Sequence, residues 1–267
     1  MMDHMRTLLI AVLSVTVIDG CGDRRAAPPA QEPDAPATPQ RIISLIPSIT
    51  ETIVAFGVSD RLVARSRYDV DPALAHLPSI GQGLTPSIEN LAALQPDLVI
   101  AWPGNPSSNV IERLQELGVA IYSPEIQSLA DVRRVFHELG ALLGSEQVAD
   151  SLVASIDAGL EEVRAAVAGL GRPSVFYVIW YDPPTTTGSG NFVNDLIEIA
   201  GGRNVFADAP GLWPQISLEE VVSRQPDIVL FSQSEDSPVD ITRVREEVGW
   251  QELDALRDGR AFTIDAN

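Results

Sequence analysis

A stretch of sequence that occurs twice constrains the fold of this chain more than any other feature. Residues 87–100 read SIENLAALQPDLVI, and residues 217–230 read SLEEVVSRQPDIVL, 130 positions later. Ser, Glu, Gln, Pro, Asp and one Val recur in register, and most of the other apolar positions exchange one aliphatic residue for another. A unit that recurs in both halves of the chain predicts two similar lobes.

Each copy predicts a helix, a turn and a strand. A serine stands at the N-cap, where its hydroxyl accepts a backbone amide of the first turn, and a glutamate follows where negative charge suits the helix dipole. A proline then ends the helix, and the aliphatic run after it has the length and β-branched content of a buried parallel strand. These residues are Ser87, Glu89 and Pro96 in the first copy and Ser217, Glu219 and Pro226 in the second.

Strands and helices alternate along the rest of the chain, which favours parallel sheets. Short strands are expected at 41–46, 62–64, 98–102 and 119–122, and again at 175–179, 204–206, 228–232 and 261–264. Apolar residues at helical spacing over 147–170 predict a helix of about 35 Å, long enough to run between lobes. The predicted fold class is α/β, with two similar lobes, each a mainly parallel sheet flanked by helices, bridged by one long helix.

The predicted lobes span residues 41–127 and 172–267, with a helical segment over 128–171 between them. The chain stops just after the last predicted strand, where such a lobe normally adds a covering helix. We therefore expect a C-terminal helix to be missing from this sequence.

Three local predictions complete this picture. Ser48 and Glu51 have capping-box spacing at the start of the first helix. Residues 180–190 (WYDPPTTTGSG) are expected to form a loop, with its glycines as a flexible lead into the next helix. Trp250 begins an amphipathic helix and is expected in the core.

Composition and motifs exclude several classes of function. A formal net charge of −19 argues against nucleic acid, which needs a basic footprint. His76 and His137 have no carboxylate at ligand spacing, so no metal site is predicted. Gly188-Ser189-Gly190 is not a nucleophile elbow, and no P-loop or dinucleotide-binding fingerprint occurs. We therefore predict a protein that is not an enzyme and has no resident cofactor.

The only cysteine, Cys21, follows a short positive segment and an apolar run over residues 8–18. This arrangement predicts a signal peptide over residues 1–20, and it is similar to a bacterial lipoprotein signal in which Cys21 becomes the lipid-modified first residue. Asp19 departs from that pattern, and the alternative is a plain signal peptide with an incidental cysteine. Residues 21–40, rich in Pro and Ala, are expected to be a disordered tether that holds the protein at a membrane.

Aromatic residues fall at the predicted strand ends. Trp102 ends a strand of the first half, Trp180 and Tyr181 end the first strand of the second half, and Trp213 precedes the second repeat. Ligands of open parallel sheets bind beyond the carboxyl ends of the strands. The pattern predicts a wide, weakly charged cleft for a large and partly apolar ligand.

The whole chain from about residue 41 resembles the periplasmic binding proteins of ABC importers for vitamin B12 and ferric siderophores, in particular the cobalamin-binding type. The resemblance depends on RIISLIPSITETIVAFG, PSIENLAALQPDLVIAW, DPPTTTGSGNFVNDLIEIAGGRNVFAD, WPQISLEEVVSRQPDIVL and WQELDALRDGRAFTID, in that order. It implies a monomeric, extracytoplasmic protein with a ligand held between two lobes, and an importer permease as its partner.

The resemblance also implies roles for individual residues. Glu89 and Glu219 match the pair that docks onto arginines of the permease. Either glutamate alone is better explained as a helix N-terminus stabiliser, and it is the matched pair on two lobes that favours docking. Trp102 and Trp213 match tryptophans that pack on the corrinoid. The rest of the expected ligand-binding set is Trp180, Tyr181, Pro47, Arg67 and Tyr68.

Two departures bear on the ligand. Gly83 stands where a further pocket aromatic is expected, and Arg67-Tyr68 replaces the usual aromatic arrangement. An arginine there suits a carboxylate or an anionic chelate. These departures count against a corrinoid, which nevertheless stays the first prediction. The alternatives are a ferric siderophore or haem carrier, a secreted two-domain α/β enzyme, and a binding protein used as a sensor.

Overall fold

The repeated unit folds in the same way twice. The structure is a computed structural model that describes residues 38–83, 85–104, 108–233 and 238–265, so the predicted signal peptide and Cys21 lie outside the described residues. Ser87 and Ser217 cap helices, each accepting a backbone amide three residues later. Each helix is followed by a glutamine in the left-handed region, Gln95 (φ 47°) or Gln225 (φ 41°), directly before the proline.

The bounds of the elements are as follows. The N-terminal half contains β1 (Ile42–Ser44), α1 (Pro47–Ala55), α2 (Ile88–Ala93), β2 (Leu98–Ile100), α3 (Ser108–Glu116) and β3 (Ala120–Tyr122). Two helices follow, α4 (Leu129–Leu143) and α5 (Glu146–Val167). The C-terminal half contains β4 (Ser174–Val178), β5 (Trp180–Tyr181), β6 (Pro184–Thr185), α6 (Phe192–Ile199), β7 (Arg203–Asn204), α7 (Leu218–Arg224), β8 (Ile228–Gln233), α8 (Ile241–Glu246), α9 (Asp254–Arg257) and β9 (Ala261–Asp265).

Two parallel sheets have matching strand orders. The first sheet has the order β1-β2-β3, and Leu62 forms a parallel bridge to Ile42 on the outer side of β1. The second sheet has the order β7-β4-β8-β9, with every pairing parallel. The strand of each repeat copy, β2 or β8, is central in its sheet, and the bridge at Leu62 stands where the second sheet has β7.

Helices cover these sheets because the strands are apolar on both faces. In the N-terminal half, α1 and α4 cover one face, where Ile42, Leu98 and Leu139 share a core, while α2 and α3 cover the other. In the C-terminal half, Phe176, Phe231 and Trp250 form the centre of a second core. The predicted fold class is confirmed, and Trp250 is buried, with 3% of its surface exposed.

The long helix α5 connects the two halves. Near its start, Ala149 is buried in the N-terminal core. At its end, Val167 packs so closely on Gly201 that a Cβ there would lie 3.0 Å from the valine side chain. The helix contacts α4 along one part and α6 along another, so it runs from one half to the other.

Several local predictions were wrong. Ser48 is not an N-cap, because Pro47 occupies the first turn and Ile46 takes the cap position without a side-chain hydrogen bond. The expected strand at 62–64 is reduced to the single bridge at Leu62. Residues after Trp250 form a 3₁₀ turn and the separate short helix α9 rather than one helix.

In the described part of the chain, none of the helices is both long enough and apolar enough to cross a bilayer.

Candidate functional site

Exposed tryptophans stand at the carboxyl ends of both parallel sheets. Trp102 lies two residues after β2 and is 41% exposed, although β2 itself is fully buried. Trp180 lies two residues after β4 and is 60% exposed. Indole rings offer large apolar faces, and ligands of parallel sheets bind beyond the carboxyl ends of the strands, so two exposed tryptophans there mark this side of the molecule as the candidate site.

The segment after β4 is an antiparallel hairpin, where a loop was expected. Trp180 pairs with Thr185 and Tyr181 with Pro184, across a turn that contains a cis peptide bond between Asp182 and Pro183. The hairpin fixes the backbone of Trp180, so this tryptophan has a defined place beside the end of β4.

Trp213 is held next to this hairpin by a second backbone ladder. Ile216 N donates to Pro184 O at 2.9 Å, Thr186 N to Pro214 O at 3.1 Å, and Gly188 N to Leu212 O at 3.1 Å. Thr185 also forms an antiparallel bridge with Gln215. Residues 212–216 therefore run antiparallel to residues 184–188, and Trp213 is carried on this added strand.

The two ladders place Trp180 and Trp213 on one face of the ribbon. Residues opposite each other in antiparallel strands point to the same face, and so do alternate residues along a strand. Trp180 lies opposite Thr185, Thr185 lies opposite Gln215, and Trp213 is two residues from Gln215. The backbone segments that carry the two indoles are about 10 Å apart, since β6 lies between them, and Trp213 is 42% exposed.

A cavity of about 270 Å³ opens at the ends of β4 and β8. Its lining is mainly apolar and aromatic, and its residues are Val178, Ile179, Trp180, Tyr181, Asp182, Phe231, Ser232 and Val239. Tyr181 thus joins Trp180 at the same opening. The pocket provides apolar surface with one carboxylate, that of Asp182, and two hydroxyl groups, those of Tyr181 and Ser232, which suits a ligand with both apolar and polar parts.

A larger cleft of about 510 Å³ lies between α4, α5 and α6, away from the strand ends. Its two arginines are already paired, Arg133 with Asp157 and Arg164 with Glu161. The paired charges and the absence of an aromatic residue from its lining make it a weaker candidate than the smaller cavity.

On the N-terminal half, Arg67 and Tyr68 form an exposed pair. The Arg67 guanidinium carbon lies 4.9 Å from the centre of the Tyr68 ring. Two buried residues support the turn beneath them, because Asp69 accepts the backbone amide of Ser66 and the Ser66 hydroxyl accepts that of Tyr68. This support was not predicted, since nothing in the local sequence distinguishes Ser66 or Asp69 from ordinary loop residues.

At Gly83, the space that a side chain would need is occupied by the backbone of Leu45. Its φ is +78°, and a Cβ atom there would lie only 2.7 Å from the carbonyl oxygen of Leu45, just after β1. An aromatic residue at this position would need the backbone to move. Pro47, also expected at the ligand, is half-buried and begins α1 shortly after β1 ends.

Glu89 and Glu219 occupy equivalent exposed places in the first turns of α2 and α7. The Ser87 hydroxyl donates to Glu89 Oε2 at 2.7 Å, and this hydrogen bond holds the pKa of Glu89 below its usual value. Each helix leads directly into a strand, so its first turn lies at the end of the sheet where the strands finish. Both glutamates therefore lie on the tryptophan side of their sheets.

The sites expected from sequence are therefore distributed as follows. The structure brings Trp180, Tyr181 and Trp213 together at the second sheet, and places Trp102 and Pro47 near strand ends of the first. Arg67 contacts Tyr68 in a separate loop. Among the described residues, no group of three His, Cys, Asp or Glu side chains is arranged to hold a metal ion.

Comparison with known proteins identifies the class. The family model for "Periplasmic binding protein" matches residues 42–267. The chain belongs to this family, and membership implies an extracytoplasmic location.

Three relatives illustrate the similarity. The vitamin B12-binding protein of Vibrio cholerae is 29% identical over 234 residues, 87% of this chain and 83% of that protein. The crystal structure of BtuF, the periplasmic vitamin B12 binding protein of that organism, has a TM-score of 0.70 and covers 86% of this chain and 89% of its own.

The other two relatives have different descriptions. The periplasmic haem-binding protein RhuT of Roseiflexus sp. RS-1 is 26% identical, with a TM-score of 0.73 over 85% of this chain and 89% of its own. The uncharacterized ABC transporter substrate-binding lipoprotein YvrC of Bacillus subtilis is 28% identical over 85% of this chain and 73% of that protein. All three relatives are binding proteins rather than enzymes.

Proposed function

We propose that this protein is the extracytoplasmic solute-binding component of an ABC importer. It binds cobalamin or a related corrinoid between its two lobes, residues 41–127 and 172–267, and delivers the ligand to the permease. It acts as a monomer and catalyses no reaction.

The observation that carries this proposal is the set of exposed tryptophans at the carboxyl ends of both sheets. Trp102 extends from the first sheet, and Trp180 and Trp213 share a face beside the second. Indole rings offer large, rigid apolar faces that stack on a flat macrocycle with little loss of conformational entropy. A corrinoid has such a ring and is large enough to contact both sheets at once.

The similarity to a vitamin B12-binding protein over most of the chain supports the same ligand. In this proposal Trp102 and Trp213 pack on the two sides of the corrin ring. Trp180, Tyr181 and Pro47 complete the walls, and Arg67 with Tyr68 lies at the rim.

A haem or ferric siderophore is the second candidate, favoured by Arg67. Its guanidinium stands exposed beside Tyr68, where it can pair with a propionate or an anionic chelate. The similarity to a haem-binding protein, with a TM-score of 0.73, is consistent with this alternative.

Docking onto the permease is assigned to Glu89 and Glu219. Their equivalent places on α2 and α7 give one negative charge on each half, on the side where the strands end. Two charges at fixed separation would orient the protein over paired arginines more than they would add bulk affinity. Cys21, by its position after the apolar segment, would carry the lipid that keeps the protein near that permease.

Titration of intrinsic tryptophan fluorescence with cyanocobalamin, haemin and a panel of ferric siderophores tests the ligand assignment. Binding of cyanocobalamin with quenching of the exposed tryptophans is expected. Tight binding of haemin or of a ferric chelate, with no response to any corrinoid, would replace the first candidate by the second.

A further inference from the structure

The backbone around Trp213 is hydrogen-bonded to a buried polar segment for which the sequence suggested no function. Residues 184–191, here called the threonine strap, follow the hairpin turn and lead to α6. Within the strap, Thr186 and Thr187 are fully buried, and the Thr186 hydroxyl donates to Tyr177 O of β4 at 2.6 Å. The strap therefore rests on the second sheet on one side and carries residues 212–216 on the other.

Asn191 connects the strap to the backbone directly before Trp213. Its Nδ2 donates to the carbonyl oxygen of Leu212 at 3.2 Å, and its Oδ1 accepts the backbone amide of Val193 at 3.0 Å. The second bond caps α6, and the residue is 3% exposed. One side chain thus has two separable functions, a helix cap through its oxygen and a hold on the Trp213 loop through its nitrogen.

Gly188 sets the distance between the strap and the same loop. A Cβ atom at this position would lie 2.1 Å from the carbonyl oxygen of Gly211 and 2.9 Å from that of Ala209, and both are backbone atoms that cannot rotate away. The expectation of a flexible lead into the helix was therefore wrong for Gly188. Its backbone is packed, and its amide is the donor to Leu212 O.

Asn204 is hydrogen-bonded to the strap at Thr187. Its Nδ2 donates to Thr187 O at 2.9 Å and to Asn194 Oδ1 at 3.0 Å, while its Oδ1 accepts the amide of Phe206. Since the residue is 3% exposed, these hydrogen bonds are shielded from water. The strap is thus hydrogen-bonded to buried parts of the C-terminal half, so a change at its contacts with residues 211–213 is expected to displace those residues.

We propose that Asn191 and Gly188 are positioning residues that fix where Trp213 stands at the candidate ligand site. Neither residue is proposed to contact the ligand. They act by holding the backbone of residues 211–213 against the strap. The ligand part of this inference rests on the proposed function, whereas the placement of Trp213 does not.

The substitution Asn191→Asp separates the two functions of the asparagine. A carboxylate oxygen still caps α6, since aspartate is as good an N-cap as asparagine. The donor to Leu212 O is lost, and a charged oxygen now faces that carbonyl, so the loop is expected to move. Gly188→Ala reaches the same loop by a different route, because the added methyl group must displace the backbone at Gly211.

The test is the ¹⁹F NMR spectrum of protein labelled with 5-fluorotryptophan, which contains four tryptophans assigned by single Trp→Phe changes. Trp250 reports on the core, where it lies against Phe176 and Phe231. In Asn191→Asp and in Gly188→Ala, the Trp213 resonance is expected to shift while that of Trp250 stays. Gly159→Ala, on a part of α5 with open space around it, is the matched control and should move neither.

A shift of the Trp213 resonance with that of Trp250 unchanged supports the proposal. An unchanged Trp213 resonance in both variants overturns it, and so does a shift of Trp250 as large as that of Trp213, which would mean a general structural role. Affinity for cyanocobalamin is expected to fall about tenfold in Asn191→Asp. If the unmodified protein binds no cyanocobalamin, the proposed function has failed, and the Trp213 resonance still decides the positioning role.

Discussion

Asp227 holds Ser174 at the start of β4. Its Oδ2 accepts both the backbone amide and the hydroxyl of Ser174 at 2.7 Å, and its own amide donates to the Ser174 hydroxyl at 2.9 Å. In the first repeat copy, Asp97 likewise accepts the backbone amides of Gln40 and Arg41, at 2.7 and 2.9 Å, just before β1. The aspartate of each copy therefore joins the repeat strand to the first strand of the same half.

This contact predicts a loss of stability in Asp227→Ala. The free energy of unfolding should fall by about 1–2 kcal/mol, because hydrogen bonds to a charged acceptor are lost at a partly exposed site. Urea denaturation followed by circular dichroism measures the change. The control is Glu162→Ala on an exposed part of α5, which is expected to stay within about 0.5 kcal/mol of the unsubstituted protein. Equal stability of the two variants would contradict the assignment.

The same contact has a predictable pH dependence. Hydrogen bonds from the Ser174 amide and then its hydroxyl hold the pKa of Asp227 below its usual value. A carboxyl group with a lowered folded-state pKa stabilises the fold above its unfolded pKa of about 4, and that contribution is lost as the pH falls through the folded value. The stability difference between the unsubstituted protein and Asp227→Ala should therefore shrink from pH 7 to about pH 3. A difference that stays constant over this range would contradict the pKa shift.

The pKa of Asp131 is also lowered, so this residue gives a second, independent prediction of how stability depends on pH. It forms a capping box with Ser128 at the start of α4, and its hydrogen bond from Arg134, followed by that from Ser128, lowers its pKa to about 2. Its stabilising effect is expected above pH 4 and should disappear as the pH approaches 2. In an Asp131→Ala variant the stability should become less dependent on pH in that window, as urea denaturation at several pH values would show.

Much of the fold was predictable because the repeat contains its own start and stop signals. The N-cap serines, the prolines and the aliphatic runs act within a few residues, so they gave the helices and central strands of both halves. The N-cap of α1 was predicted wrongly because another local signal, a proline, takes precedence there. Pro47 has no amide to satisfy and suits the first helical turn, so the cap moved to Ile46 and the spacing of Ser48 and Glu51 had no effect.

The candidate site was less predictable because its contacts join distant parts of the chain. Trp180 and Trp213 were each identified, but the ladder between residues 184–188 and 212–216 depends on backbone pairing between short segments without hydrophobic periodicity. The close approach of Gly83 to Leu45 is likewise a tertiary contact. Asn191 had a local signal, since it is a good N-cap before α6, but nothing local indicated its bond to Leu212.

If Glu89 and Glu219 dock onto a permease as proposed, charge reversal at both should uncouple transport from binding. In cells that depend on the importer, Glu89→Arg combined with Glu219→Arg is expected to reduce ligand uptake at least tenfold, since two favourable contacts become repulsive. Ligand affinity of the purified variant should stay unchanged. Reversal of Glu161 and Glu162, which are exposed on α5, is the matched control for net charge. Normal uptake by the first variant would make the pair structural.

The proposed lipid anchor at Cys21 is tested by fractionation. Cys21→Ser is expected to move the protein from the membrane fraction to the soluble extracytoplasmic fraction, because a bound acyl group would no longer hold it to the bilayer. Immunoblotting of both fractions measures this, with Thr38→Ala as a control that keeps the cysteine. Unsubstituted protein that is already in the soluble fraction would favour the plain signal peptide, and equal retention of the unsubstituted protein and Cys21→Ser in the membrane fraction would contradict anchoring through Cys21.

The most direct test of a ligand site shared by both sheets is isothermal titration calorimetry with cyanocobalamin. The unsubstituted protein is compared with Trp102→Ala, from the first sheet, and Trp213→Ala, beside the second. We expect one ligand per chain, and a loss of affinity of about tenfold or more in each variant, since each removes a stacking surface on a different half. Absence of binding to the unsubstituted protein, or full affinity in either variant, would contradict a corrinoid held between the two sheets.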